Sequence, residues 1–153
     1  MWKGLYLRIR FNRHKNQLVI TANKVGLDIL ISYSLSIIGK HDPSGHHHLQ
    51  KGFGNVTDDS DGTVIYFSDD DENYQNKLKG RVSRFKIVFE EEIVLMGDKK
   101  GLESFAQLCR EAIKYEKPIR LDKRMQNMMP GSVPTILRFK KSGLLDLIHW
   151  LIQ

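Results

Sequence analysis

Three consecutive histidines, His46, His47 and His48, are the residues of this chain whose type and spacing best suit a metal site. On a β-strand the side chains of His46 and His48 would point to the same side, about 6–7 Å apart, and could share a metal ion. A stable zinc site needs further protein ligands, and Asp42 is the only acidic residue nearby. We therefore interpret the histidines as polar residues at the start of a strand, and we predict no metal and no cofactor.

The single cysteine, Cys109, is the candidate for a thiol nucleophile. It falls on the apolar stripe of a predicted helix and has no histidine placed to activate it, so we predict that it belongs to the core. The sequence also lacks a Gly-x-Ser-x-Gly elbow and a phosphate-binding loop, since Gly52-Phe53-Gly54 is too short for a dinucleotide fingerprint. These features predict that the protein is not an enzyme.

An acidic segment interrupts an otherwise basic chain. The net charge of the 153 residues is +6, but residues 58–72 contain seven acids and neither lysine nor arginine. Acidic patches at both ends of a short strand would suit a basic partner, because complementary potentials accelerate association and fix register. The predicted partner-binding residues are Asp58, Asp59, Asp61, Tyr66, Asp69, Asp70, Asp71 and Glu72. A solubilising loop is the open alternative.

Nucleic-acid binding is the alternative function that the basic residues suggest. Alternation along the first predicted strand places Tyr6, Arg8 and Arg10 on one outer sheet face, on which bases could stack. A basic run follows the acidic segment and comprises Lys77, Lys79, Arg81, Arg84 and Lys86. The acids of residues 58–72 would repel phosphate, which makes nucleic acid the less favoured partner.

The elements that must position these residues occur twice along the chain. Residues 18–30 align with residues 93–105 at an offset of 75, each with an apolar run, then Asn23 or Asp98, then Lys-x-Gly-Leu. Asn23 and Asp98 are typical residues for capping a helix N-terminus. Flanking strands correspond as well, at offsets that drift from 78 to 72 as loops of different length would require.

The repeat predicts an α+β fold made of two tandem strand-strand-helix-strand-strand units, with mainly antiparallel sheet and helices packed on it. We predict one domain over residues 1–153, with the units at about residues 3–68 and 82–141. The apolar residues 143–152 predict a C-terminal helix that the first unit lacks. The helix of the first unit is apolar over much of its circumference, which predicts either deep burial or a homodimer contact.

The apolar runs are all shorter than the 18–20 residues or so that a membrane span requires. The N-terminal residues alternate at once with arginines and so do not resemble a secretory signal. We therefore expect a cytoplasmic protein with no membrane partner.

Three blocks of the first unit resemble a known family: Asn23-Lys24-Val25-Gly26-Leu27, Gly45-His46-His47-His48-Leu49 and Gly62-Thr63-Val64-Ile65-Tyr66-Phe67. They are similar to the helix start, the Gly-x-His-x-His-Leu stretch and the closing strand of small bacterial immunity proteins of the immunity protein 32 type. The resemblance covers roughly residues 5–67, and the second unit echoes it without the histidines. It implies a protein that binds and neutralises a cognate toxin domain by occlusion, in a contact-dependent or polymorphic toxin system. The chain departs from the pattern in being duplicated and in its apolar C-terminal segment.

Overall fold

Both halves of the chain contain the same order of elements in the computed structural model, which describes residues 4–40, 45–68, 84–125 and 128–141. The elements of the first half are β1 (Leu7–Asn12), β2 (Gln17–Ala22), α1 (Lys24–Ser36), β3 (His46–Leu49) and β4 (Thr63–Phe67). Those of the second half are β5 (Phe85–Phe89), β6 (Ile93–Gly97), α2 (Lys99–Tyr115), β7 (Ile119–Arg120) and β8 (Thr135–Phe139). A 3₁₀ turn follows β3 at Lys51–Phe53, and a short helix, α3 (Leu121–Arg124), follows β7. The predicted α+β class and its repeated unit are confirmed, whereas the C-terminal helix predicted over residues 143–152 lies outside the described residues.

The strands form where the sequence alternates between apolar and polar residues. In β1, Leu7 and Ile9 are fully buried while Arg10 is exposed, as the two-residue period of a half-buried strand requires. The turn between β1 and β2 and the turn of three glutamates between β5 and β6 both close antiparallel hairpins. Local patterning therefore accounts for the two hairpins.

The two halves exchange strands to build two four-stranded sheets. Sheet A has the order β1-β2-β8-β7, and sheet B has the order β3-β4-β6-β5. Each sheet thus joins the first hairpin of one half to the last two strands of the other half. The joining pairs, β2 with β8 and β4 with β6, are parallel, and the remaining four pairs are antiparallel.

The core lies where α1 and α2 pack on each other and on the inner faces of both sheets. Helix α1 contacts β2 and β4, and helix α2 contacts β6 and β8, so each helix touches both sheets. The buried apolar residues of the helices include Leu27, Ile29, Leu30, Leu102, Phe105 and Cys109. Helix α1 therefore packs much of its apolar surface within the chain, while Val25 is exposed and Ile31 and Leu35 are partly exposed. The homodimer contact stays a prediction.

None of the helices in the described part of the chain has the length and the apolar character that a membrane span requires.

Candidate partner-binding site

The loop between β3 and β4, which carries the first acids of the acidic segment, lies along the free edge of β1. The N–H of Thr57 donates to the carbonyl of Leu7 over 2.9 Å, and the N–H of Asp61 donates to that of Ile9 over 2.8 Å. The N–H of Ile9 in turn donates to the hydroxyl of Ser60 over 3.0 Å. These bonds occupy an edge that would otherwise offer unpaired backbone groups to another strand.

The second half repeats this arrangement along the free edge of β5. The N–H groups of Met129 and Val133 donate to the carbonyls of Phe85 and Ile87 over 2.9 and 2.8 Å. The N–H of Ile87 donates to the hydroxyl of Ser132 over 3.3 Å. Both loops therefore cover a sheet edge through the same backbone path, and what distinguishes the two loops is their other side chains.

The acidic side chains of the first loop pair with arginines of β1. Arg8 Nε donates to the carboxylate of Asp59 over 2.7 Å, and Arg10 donates to the backbone carbonyl of Asp59 over 2.6 Å. The carboxylate of Asp61 accepts the N–H of Phe11 over 2.7 Å and lies 4.0 Å from Arg10 Nε. Two of the predicted partner-binding acids, Asp59 and Asp61, therefore form hydrogen bonds and ion pairs with β1 of the same chain.

Hydrogen bonding stabilises the charged form of Asp59. The hydroxyl of Thr57 donates to its carboxylate over 2.7 Å, and this bond, followed by the one from Arg8, keeps the pKa of Asp59 below its usual range. Asp58, by contrast, is exposed and forms no ion pair within the described residues. The other predicted acids, Asp69, Asp70, Asp71 and Glu72, lie outside the described residues.

Tyr66 lies on the outer face of sheet B, in an aromatic group at the β3 edge. Its backbone register partner is His46, and the two rings have centroids 5.4 Å apart. The ring of His48 lies 5.1 Å from that of His46 and 6.2 Å from that of Phe53, whose surface is 59% exposed. The predicted contact residues are thus divided between sheet B, which carries Tyr66, and the β1 edge of sheet A, which carries the loop acids.

His46 and His48 are the described residues best placed to hold a metal, since their rings lie on the same side of β3. The described part of the chain contains no group of three or more histidine, cysteine, aspartate or glutamate side chains that could surround an ion. Two imidazoles alone leave at least two positions of a tetrahedral site without a protein ligand. The arrangement therefore suits aromatic contacts better than metal binding.

His47 points to the opposite side of β3, toward helix α1. Its ring stacks on Tyr33 at a centroid distance of 4.3 Å, and its Nε2 lies 2.9 Å from the hydroxyl of Ser36. Burial lowers the pKa of His47, and the nearby charges of His46, Lys40 and His48 add to the effect. The two contacts attach β3 to α1, and the lowered pKa favours the neutral ring.

Cys109 is fully buried on α2, as predicted. Burial raises the pKa of its thiol well above the usual range, so the reactive thiolate is strongly disfavoured. This residue contributes packing rather than nucleophilic chemistry.

The basic residues do not form the continuous run that the sequence suggests. Arg84 is only 8% exposed, so it lies inside the protein rather than on a nucleic-acid-binding surface. Lys86 lies on the outer face of β5, and Lys77, Lys79 and Arg81 fall outside the described residues. As predicted, Tyr6, Arg8 and Arg10 share the outer face of sheet A, where Lys140 Nζ lies 4.0 Å from the centroid of the Tyr6 ring.

The Asn-x-x-Gly-Leu block at the start of α1 ties the helix to the segment that leads into β1. The side-chain oxygen of Asn23 accepts the N–H of Gly26 over 3.0 Å and the N–H of Tyr6 over 3.1 Å. Its amide donates to the carbonyl of Gly4 over 2.6 Å. A Cβ atom at Gly26 would overlap the carbonyl oxygen of Tyr6, so this close approach requires glycine.

The corresponding block at α2 makes the same connections. The carboxylate of Asp98 accepts the N–H of Gly101 over 2.7 Å and the N–H of Arg84 over 3.0 Å. A Cβ atom at Gly101 would overlap the carbonyl oxygen of Arg84. The repeated motif is therefore explained by helix capping and close packing, and it requires no ligand.

The chain matches the model of a known protein family. The model of the family Immunity protein 32 matches residues 17–68 and 92–117, which together make up about half of the chain. The first matched segment runs from the start of β2 past β4, and the second covers β6 and α2, the counterparts of β2 and α1. No curated protein and no solved structure matches the chain. On the strength of that match, with the same capped helix start in both halves, the chain belongs to the Immunity protein 32 family.

Proposed function

We propose that this protein is an immunity protein that binds a cognate toxin domain and neutralises it by covering the active site of the toxin, without catalysis of its own. Membership of the Immunity protein 32 family is the observation that carries the proposal. The burial of Cys109 and its raised thiol pKa support a non-catalytic role for the one residue that could act as a thiol nucleophile. We further propose that binding takes place in the cytoplasm.

Occlusion requires a stable surface of matching shape and charge, of about 800 Å² per partner in an ordinary complex. The exchanged strands and the covered sheet edges support such a preformed surface, because both sheets are held by strands from the two halves. Binding to a preformed surface avoids the entropic cost of ordering it. We therefore expect little change in backbone conformation when the complex forms.

The experiment pairs this protein with the toxic C-terminal domain encoded in the reading frame beside its own gene. Coexpression should restore growth to cells that make the toxin domain, and the purified proteins should form a tight complex that elutes as one species. In vitro, the activity of the toxin should fall to zero at an equimolar ratio. Continued cell death on coexpression, or a toxin that stays fully active with an excess of this protein, would contradict the proposal.

The acidic contact predicted from the sequence is tested in the same assay. Among the described acids Asp58 is the informative position, because it is exposed while Asp59 and Asp61 pair with their own chain. Asp58→Lys should slow association with the toxin, and so should a variant in which Asp69, Asp70, Asp71 and Glu72 are replaced by their amides. Glu103→Lys, on the exposed side of α2, is the matched control and should leave association unchanged.

A further inference from the structure

Among the described residues, the outer face of sheet A carries five cationic side chains. Two rows of side chains cross it: Arg8, Thr21 and Arg138 form one row, and Arg10, Val19, Ile136 and Arg120 form the other. Lys140 lies on the same face, since its ammonium group lies over the ring of Tyr6. We name this surface the arginine face and define it by Arg8, Arg10, Arg120, Arg138 and Lys140.

The equivalent face of sheet B carries less of this charge, since Lys86 is the counterpart of Arg8 but three other cations of sheet A have no lysine or arginine counterpart. At the positions that correspond to Arg10, Arg120 and Arg138, sheet B carries an apolar or aromatic side chain. The corresponding residues are Val88, His48 and Tyr66. Two sheets with the same strand arrangement thus differ in charge at these positions, so the strand arrangement does not require the cations of Arg120 and Arg138. Arg8 and Arg10, by contrast, also anchor the loop between β3 and β4.

Three of the five cations of the arginine face, Arg8, Arg10 and Arg120, lie within 4.0 Å of a carboxylate of the chain. Asp59 binds Arg8 over 2.7 Å, and Arg120 lies 3.4 Å from the carboxylate of Asp122. Arg138, on the inner strand β8, is exposed and has no ion pair within the described residues. Its guanidinium group therefore remains available, and it lies across two strands from Arg8, at a backbone separation of about 10 Å.

The chemistry of the face favours a protein partner over a nucleic acid. Asp59 and Asp61 border it along β1, and carboxylates there would repel a phosphate backbone. Tyr6 has one side of its ring covered by Lys140, and the centre of the face is aliphatic, from Val19 and Ile136. Base stacking would need open aromatic rings. A face with arginines around two aliphatic side chains instead suits a protein surface that carries carboxylates. Arginine binds carboxylates in a bidentate manner.

From this placement we infer that the arginine face is a docking surface for an acidic patch on the cognate toxin domain, with Arg138 and Lys140 as its central contacts. The inference rests on the proposed function and names the chemistry of the partner. Together with the predicted contact at Asp58 it would place charges of both signs in one interface, which fixes the orientation of the complex.

The test compares two double variants of the full chain that change the net charge equally. One is Arg138→Glu with Lys140→Glu. The control is Lys51→Glu with Lys99→Glu, at exposed positions of the 3₁₀ turn and of α2. Thermal unfolding of both is measured first, and a milder pair, Arg138→Gln with Lys140→Gln, replaces the first if it does not fold.

We expect the first variant to lose at least about tenfold in affinity for the toxin domain, because like charges placed opposite each other are repulsive, and the control to bind as the wild type does. Equal losses of affinity in both double variants, or no loss in the Arg138→Glu and Lys140→Glu variant, would refute the docking surface. If the wild type still neutralises the toxin, the proposed function is unaffected by that result. A wild type that fails to bind the toxin domain at all refutes both. Binding of duplex DNA or RNA that is lost in the first variant alone would assign the face to nucleic acid and overturn the inference.

Discussion

Phe11 and Phe89 stack on each other, with ring centroids 4.7 Å apart and ring planes 13° from parallel. They occupy equivalent positions in the two halves of the chain, at the offset of 78 residues that relates β1 to β5. Each is therefore packed against its own counterpart, as residues are beside a two-fold axis. The helices α1 and α2 are a second pair of counterparts that pack on each other.

The exchange of strands predicts that neither half folds by itself. Each sheet is completed through a parallel pair that joins the halves, β2 with β8 in sheet A and β4 with β6 in sheet B. We therefore expect residues 1–68 and 69–153, coexpressed as separate chains with a tag on one, to copurify as a folded complex. Circular dichroism and size-exclusion chromatography check the result. Each half expressed alone should be unfolded or should associate with itself, and a folded monomeric half would contradict the prediction.

The stacked pair of Phe11 and Phe89 predicts energetic coupling between distant parts of the sequence. Phe11→Leu and Phe89→Leu should each lower the free energy of unfolding, and the double variant should lose about 1 kcal/mol less than the two single losses together, because the second substitution has no ring left to unstack. Urea denaturation of the four proteins measures the coupling. As a control, Phe11→Leu combined with Phe53→Leu should be additive, since Phe53 is exposed and has no ring contact with Phe11.

Local structure could be predicted from the sequence because its causes are local. Alternation of apolar residues defines the hairpins, and Asn23 and Asp98 cap the helices where they were expected. The exchange of strands could not be predicted, because periodicity shows which face of a strand is buried but not which strand it pairs with. Two tandem copies give the same pattern whether each closes its own sheet or completes the other.

The candidate site was harder to predict for a related reason. The acids of residues 58–72 suggested a surface open to a partner, but Asp59 binds Arg8, a residue 51 positions earlier in the sequence. Nothing in the spacing of the two residues indicates that contact. One signal was available: the acids Asp59 and Asp61 of the first unit correspond to the uncharged Gly131 and Val133 of the second, while Arg8 and Arg10 correspond to Lys86 and Val88. Asp59, Asp61 and Arg10 thus all lack a charged counterpart in the second unit. This joint absence is what an ion pair between the loop and β1 predicts.

The close approach at the helix starts predicts a strong dependence on glycine. Gly26→Ala and Gly101→Ala should each lower the free energy of unfolding by about 2 kcal/mol, because the added methyl group must displace a backbone carbonyl that cannot rotate away. Thermal or urea denaturation measures the loss. Gly52→Ala is the matched control, since a Cβ atom there meets no atom within 4 Å, and its effect should stay within about 0.5 kcal/mol. Equal stability of all three variants would contradict the prediction, because it would mean that each helix start can move away from the segment before β1 or β5 without loss of stability.

The contact between His47 and α1 predicts a loss of stability in mild acid. The pKa of His47 in the folded protein lies below the ordinary value of 6.5, chiefly because of burial. The unfolded chain therefore takes up a proton near pH 6.5 while the folded chain resists it, so the free energy of unfolding should fall as the pH drops below 6.5 and should level off beneath the lowered pKa. His47→Phe can keep the stacking on Tyr33 without the titration, and urea denaturation on both sides of that pH should show a smaller dependence on pH than in the wild type. His14→Gln, in the exposed turn between β1 and β2, should keep the wild-type dependence. If His47→Phe kept it as well, the acid sensitivity would have to come from another group.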